Sequence, residues 1–92
     1  MKIVSILIPV YNEEKTISQT IDRVVNIQVS GYKKQIIVIN DGSTDGTLKS
    51  INIWKDKVEI ISYKENQGKG HAIIEGLKIA TGDVVLIQDA DL

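Results

Sequence analysis

Four β-branched runs, at residues 3–10, 35–39, 58–63 and 84–88, recur at nearly even intervals along a chain of 92 residues. Each is almost continuously apolar rather than alternating, the pattern of strands covered on both faces. Composition agrees with this, since 17 Ile and 9 Val stand against 5 Leu with no Phe, and β-branched side chains pack well on a pleated surface. The runs begin at positions 3, 35, 58 and 84, so successive starts lie 32, 23 and 26 residues apart. A strand-helix-strand unit takes roughly 30.

The segments between the runs have helical period. Ile17, Ile21, Val24 and Gln28 share one face of a first helix, for which Asn12 is the expected cap, Glu13 and Glu14 complement the dipole, and Gly31 supplies the stop. A second helix over about 46–56 takes Asp45 as its cap and turns Leu48 and Ile51 inward. A third, over about 69–80, aligns Ile73, Leu77 and Ala80 and ends at Thr81 and Gly82. Right-handed crossovers then give an α/β, doubly wound, mostly parallel sheet in the order 3-2-1-4, with strand 1 central. The length allows one domain, residues 1–92. The stop at Leu92, just after a carboxylate pair, reads as a cut through a longer unit.

Charge excludes several functions. The net charge is −1, residues 1–46 carry five basic and five acidic groups, and residues 47–92 carry six and seven. No nucleic-acid-binding stripe is implied. With no cysteine there is no disulfide framework and no thiolate metal site, which fits a cytoplasmic protein. The run behind Lys2 is followed by Asn12, Glu13 and Glu14 instead of a small-residue cleavage site, so it reads as a buried strand and not a signal peptide. Nothing approaches the roughly 20 apolar residues of a membrane span.

In an open parallel sheet, ligands bind beyond the carboxyl ends of the strands. Those ends carry Pro9, Val10, Tyr11, Asn12 and Glu13 after strand 1, Asp41-Gly-Ser-Thr-Asp-Gly46 after strand 2, Glu65-Asn-Gln-Gly-Lys-Gly70 after strand 3, and Asp89-Ala-Asp91 after strand 4. The opposite edge offers 31–34, 55–57 and 81–83, which read as plain turns. In extended chain, residues i and i+2 point the same way, so Asp89 and Asp91 can converge on one point. Such a pair is either a solvated acidic loop or a site for a hard cation such as Mg²⁺ or Mn²⁺, which takes one or two carboxylates plus phosphates. Asp45 suits an Asx turn and cap and no more. Asp41, closing a strand, is placed to accept from a ribose hydroxyl or a base NH.

The Gly68-Lys69-Gly70 loop opens the third helix, whose amino end favours anions. Neither the P-loop nor the three-glycine dinucleotide pattern is present, so a flexible turn with a solvated lysine is the plain alternative. His71 has no metal-ligating neighbours and reads as a surface residue, while Trp54, Tyr32 and Tyr63 read as packing. Glu13, Asp41, Asp89 and Asp91 make an acidic mouth that Lys69 answers. Like charges about 4 Å apart repel by about 4 kcal/mol at an effective dielectric near 20, so a diphosphate needs a divalent cation between itself and these carboxylates. That cation would also act as a Lewis acid on a departing nucleoside diphosphate.

The strings SILIPVYNEE, INDGSTDGT, NQGKGHA and QDADL, in this order and spacing, resemble glycosyltransferase family 2, enzymes of the glycosyltransferase A fold with a Rossmann-like first half. QDADL is most similar to the dolichyl- or polyprenyl-phosphate sugar transferases. The resemblance implies that Pro9, Tyr11 and Glu13 line the base pocket, that Asp41 meets base or ribose, and that Lys69 lies near the nucleotide. It makes Asp89 and Asp91 the DxD pair that binds Mg²⁺ or Mn²⁺, with Asp91 as the stronger direct ligand and Asp89 also beside the donor. The implied activity is inverting transfer from a nucleoside-diphosphate sugar to an acceptor such as a polyprenyl phosphate, at the cytoplasmic face of a membrane. Any catalytic base falls after Leu92, so 92 residues alone are expected to bind donor and be inactive in transfer. Strand 4, lacking the neighbour it has in the longer fold, is expected to drive self-association. The alternative is a nucleotide- or phosphate-binding module without transferase activity, of flavodoxin-like type, which binds phosphate through backbone NH groups and needs no carboxylate pair.

Overall fold

The two central strands are buried on both faces, and the alternation of their side chains shows why. In β1 (Lys2–Val10), Val4, Ile6, Ile8 and Val10 enter one core while Leu7 enters the other; in β2 (Tyr32–Asp41), Ile36 and Val38 join the first and Ile37 and Ile39 the second. Successive strand residues face opposite sides, so a continuous apolar run is what a sheet covered twice requires. The structure, a computed structural model, describes residues 1–90.

Between these strands lies α1 (Ile17–Asn26), followed after β2 by α2 (Thr47–Asn52), β3 (Glu59–Tyr63), α3 (Lys69–Ile79) and β4 (Val84–Ile87). The sheet order is β3-β2-β1-β4 and every pairing is parallel, as expected. Ile17, Ile21 and Val24 of α1 and Ile51 of α2 pack on one face of the sheet, and Ala72 of α3 on the other. Gly76 lets α3 approach closely, because a Cβ there would stand 3.0 Å from Ile39 and 3.1 Å from Leu7. No described helix is long and apolar enough to cross a membrane.

Several expectations need correction. Helix α1 starts at Ile17, not after Asn12: the Glu13 carbonyl accepts the amides of Thr16 and Ile17 in a separate turn, and Asn12 sits at φ 50 with its side chain committed elsewhere. It also ends at Asn26, before Gln28 and Gly31. Lys34 Nζ reaches back from β2 to the carbonyls of Val24 at 2.7 Å and Val25 at 2.6 Å, and to that of Ile27, so the last turn is closed by a cation from another element. Leu48 and Leu77 are 37% and 47% exposed, while Ile51, Ala72 and Gly76 take the buried positions. Neither edge strand is covered on both faces: β3 is partly exposed and β4 is exposed throughout, although both sequences are as apolar as the central strands.

Candidate functional site at the carboxyl edge of the sheet

All four carboxyl-end loops meet at one cleft of about 350 Å³. Pro9, Tyr11, Glu13, Asp41, Lys69 and Asp89, scattered over 80 residues of sequence, all line it. Asp91 lies outside the described residues. A second cleft, of about 490 Å³, lies at the opposite edge among Lys33, Lys55, Lys57 and Glu59, where residues 55–57 form a turn as expected.

Two of the loops are sewn together. The Asn12 amide donates to Ser43 Oγ at 2.9 Å, the Thr44 amide to Asn12 Oδ1 at 2.8 Å, and the Glu13 amide to Thr47 Oγ1 at 2.9 Å. Asp45 accepts the amide of Thr47 at 2.9 Å and that of Glu14 at 3.4 Å. Desolvation opposes its charge, but these amides and the Thr47 hydroxyl outweigh it and hold the carboxyl below its ordinary value. The polar residues of YNEE and DGSTDGT thus serve largely to hold one loop against the other; the cap of α2 is Gly46, and Asp45, expected there, ties Thr47 to Glu14 instead.

Asp41 forms the centre of a second junction. The residue is 3% exposed and its carboxylate takes four donors: Tyr63 Oη at 2.8 Å and the Gln67 amide at 2.9 Å on Oδ1, Asn66 Nδ2 and the Gly68 amide at 2.9 Å each on Oδ2. A carboxylate offers about four lone-pair positions, and here protein donors fill them. The Gly68 amide, at the helix start expected to favour an anion, therefore already has one. Gly42 makes the approach possible: it stands at φ +69, and a Cβ there would meet the Asn66 amide nitrogen at 2.2 Å. Burial first, then the hydrogen bond to Asp41 and its charge, push the Tyr63 phenol well above its ordinary 10.0. The Tyr63 ring also meets His71 edge-on with centroids 5.5 Å apart, so His71 packs against the junction. Trp54 and Tyr32 pack against the core as expected.

Tyr63 and Asn66 were missed as site residues. Asn66 has a signal in the sequence, being the first residue of the NQGKG loop, whereas a single aromatic closing a strand has none.

Across the mouth, Lys69 forms an ion pair with Asp89, each side chain more than half exposed. No group of three His, Cys, Asp or Glu gathers to hold a metal among the described residues. Asp89 nevertheless suits Mg²⁺ or Mn²⁺: it is a hard, accessible oxygen donor at the cleft, and such ions are held by one or two carboxylates with substrate phosphates and water completing the shell.

Fold and site together define an open parallel α/β domain whose polar groups converge at the carboxyl edge of the sheet. A model of the family described as glycosyl transferase family 2 matches residues 5–92. A poly-beta-1,6-N-acetyl-D-glucosamine synthase of Staphylococcus aureus is 39% identical over 90 residues, covering 96% of this chain and 21% of that protein. The probable glycosyltransferase YdaM of Bacillus subtilis is 38% identical over 94 residues, covering 96% and 22%. Of solved structures, the mannosyltransferase PcManGT from Pyrobaculum calidifontis, in complex with GDP-Man and Mn²⁺, is similar with a TM-score of 0.85 and 30% identity over 98% of this chain and 28% of that one. Glucosyl-3-phosphoglycerate synthase from Mycobacterium tuberculosis, in complex with Mn²⁺, UDP-Glc and phosphoglyceric acid, gives a TM-score of 0.81 and 28% identity over 99% and 34%.

The chain belongs to glycosyl transferase family 2, and its sheet is the Rossmann-like part of a glycosyltransferase A fold. It spans about a fifth of the length of the curated relatives it matches.

Proposed function

We propose that these residues are the donor-binding region of an inverting, metal-dependent glycosyltransferase, which holds a nucleoside-diphosphate sugar for attack by an acceptor. The observation that carries this reading is the convergence of Asp41, Lys69 and Asp89 with Pro9, Tyr11 and Glu13 on one cleft. Pro9, Tyr11 and Glu13 line the base end. Asp89, with Asp91, would hold Mg²⁺ or Mn²⁺, which would supply the positive charge that a diphosphate needs beside these carboxylates. Lys69, which pairs with Asp89 at the mouth, is the cation that would meet the donor phosphates. A base NH or ribose hydroxyl that reaches Asp41 displaces one of its four donors, and the Tyr63 hydroxyl is the one whose release breaks no backbone contact.

Divalent metal and nucleotide sugar occur together in the solved relatives named above, which supports the cofactor and the donor class. A phosphate site built on amides alone, as in a flavodoxin-like module, would have to do without the Gly68 amide, which is bound to Asp41. Transfer at ordinary enzyme rates is not expected of this chain alone, since much of such a rate comes from holding two reactants in line.

Calorimetry with UDP, GDP and their sugar conjugates tests the reading. Binding is expected with Mn²⁺ and lost on adding EDTA or in Asp89→Asn; equal affinity with and without metal would defeat it. Incubation of labelled donor with a polyprenyl phosphate and, separately, with a sugar oligomer tests the acceptor. Label in one product alone would assign it, and turnover of about 1 s⁻¹ or more would show that no further surface is needed.

A further inference from the structure

Ala90 follows an exposed strand and an exposed Asp89, yet it is only 4% exposed. Its carbonyl oxygen lies against α1, where it accepts Thr20 Oγ1 at 3.1 Å and stands 3.4 Å from Thr16 Oγ1. Residues four apart share one helix face, so the two threonines present their hydroxyls together. Thr16 has a single proton to give, and Glu13 Oε2 is the nearer acceptor at 3.1 Å. Thr20 is therefore the principal donor to Ala90. At 1% exposure it interrupts the apolar stripe of Ile17, Ile21 and Val24, a place where a hydroxyl is costly unless bonded. It could turn instead to the Thr16 carbonyl one turn back, which lies at the longer distance of 3.3 Å. The shorter contact goes to the middle residue of the Asp89-Ala90-Asp91 motif.

We propose that Thr20 is a positioning residue for the metal-binding carboxylates. By holding the Ala90 carbonyl in the core it pins the centre of the motif to α1, so that Asp89 is turned out into the cleft and toward Lys69. Thr16, whose proton goes to Glu13, is not part of that anchor. This inference rests on the proposed function, and its test separates the two.

Mn²⁺ binding to the chain in the presence of UDP is measured by calorimetry and by Mn²⁺ electron paramagnetic resonance, with the melting temperature of the metal-free chain recorded alongside. Groups that orient metal ligands from behind are worth about 10–100-fold in metal affinity. Thr20→Val, which keeps the shape and removes the hydroxyl, is expected to weaken Mn²⁺ binding by about tenfold, the low end, because Thr20 acts through backbone. Thr20→Ser, which keeps the hydroxyl, is expected to bind like the parent. Should the valine variant not fold, Thr20→Ala removes the hydroxyl without pressing a methyl on the carbonyl, and the same loss is expected. A hydroxyl-free variant that melts lower but binds Mn²⁺ like the parent would make Thr20 a packing residue and overturn the inference alone. A parent chain that binds Mn²⁺ no better than Asp89→Asn would overturn the functional reading, and the inference with it.

Discussion

The carboxylate of Asp41 and the amide of Gly68 meet at 2.9 Å across 27 residues of sequence, which places an anion from the end of β2 at the amino end of α3. A helix start with free NH groups attracts negative charge, and here the protein supplies that charge itself. The loop that carries Lys69 is thereby fixed to the sheet before any ligand arrives.

Asp41→Asn is expected to destabilise the chain by about 3 kcal/mol, because an amide turned either way sets its NH₂ against donors that the carboxylate satisfied, and stranded buried donors cost about 1–3 kcal/mol each. Tyr63→Phe removes one donor and leaves the acceptor its other three, so about 1 kcal/mol is expected. Urea unfolding of both variants checks the order. Equal losses would mean that the backbone amides contribute nothing to the junction.

The raised phenol of Tyr63 makes stability depend on pH at the alkaline end. A group whose folded pKa lies above its unfolded value stabilises fully below the unfolded value, near 10, and the contribution is lost as pH rises from there through the folded value. Unfolding free energy is expected to fall above about pH 10 in the parent and to fall less steeply in Tyr63→Phe. Absorbance titration of tyrosinate supplies the second check: of the three tyrosines, the last to ionise should vanish in the variant.

Gly42→Ala is expected to be among the most damaging single changes. It places a side chain at φ +69, which costs about 1–2 kcal/mol, and drives its Cβ to 2.2 Å from the Asn66 nitrogen, where backbone must move. Loss of the folded baseline in circular dichroism at room temperature, or a large fall in melting temperature, is expected. Near-parental stability would mean that the loops around Asp41 shift freely.

The central strands were legible because burial on both faces leaves a continuous β-branched run, and the site because its polar residues follow the carboxyl ends of those runs. The start of α1 was not, because Asn12 has the chemistry of a cap but bonds to Thr44, 32 residues away. Strand β4 has the composition of a buried strand and lies at an edge, since composition records what covers a strand only when both faces are filled. Tyr63 and Thr20 act through partners 22 and 70 residues distant, and only the fold brings those pairs together.

That edge position leads to the last expected outcome. Strand β4 pairs with β1 through Val4 to Leu7 and, among the described residues, is the last strand of the sheet. Leu86 and Ile87 are 48% and 50% exposed. Edge strands are ordinarily protected by charge, proline or a bulge. The opposite edge, β3, begins with Glu59 and is followed by Lys64, whereas Val84–Ile87 has no charge or proline at all. An uncharged apolar strand with one side unpaired templates pairing with another copy. The 92-residue chain is therefore expected to self-associate as its concentration rises, and Leu86→Lys, which leaves the backbone unchanged but brings like charges together across the contact, is expected to stay monomeric. Sedimentation velocity over a concentration series distinguishes the outcomes: two monomers would show that the edge is inert, and two equal oligomers would place the contact elsewhere.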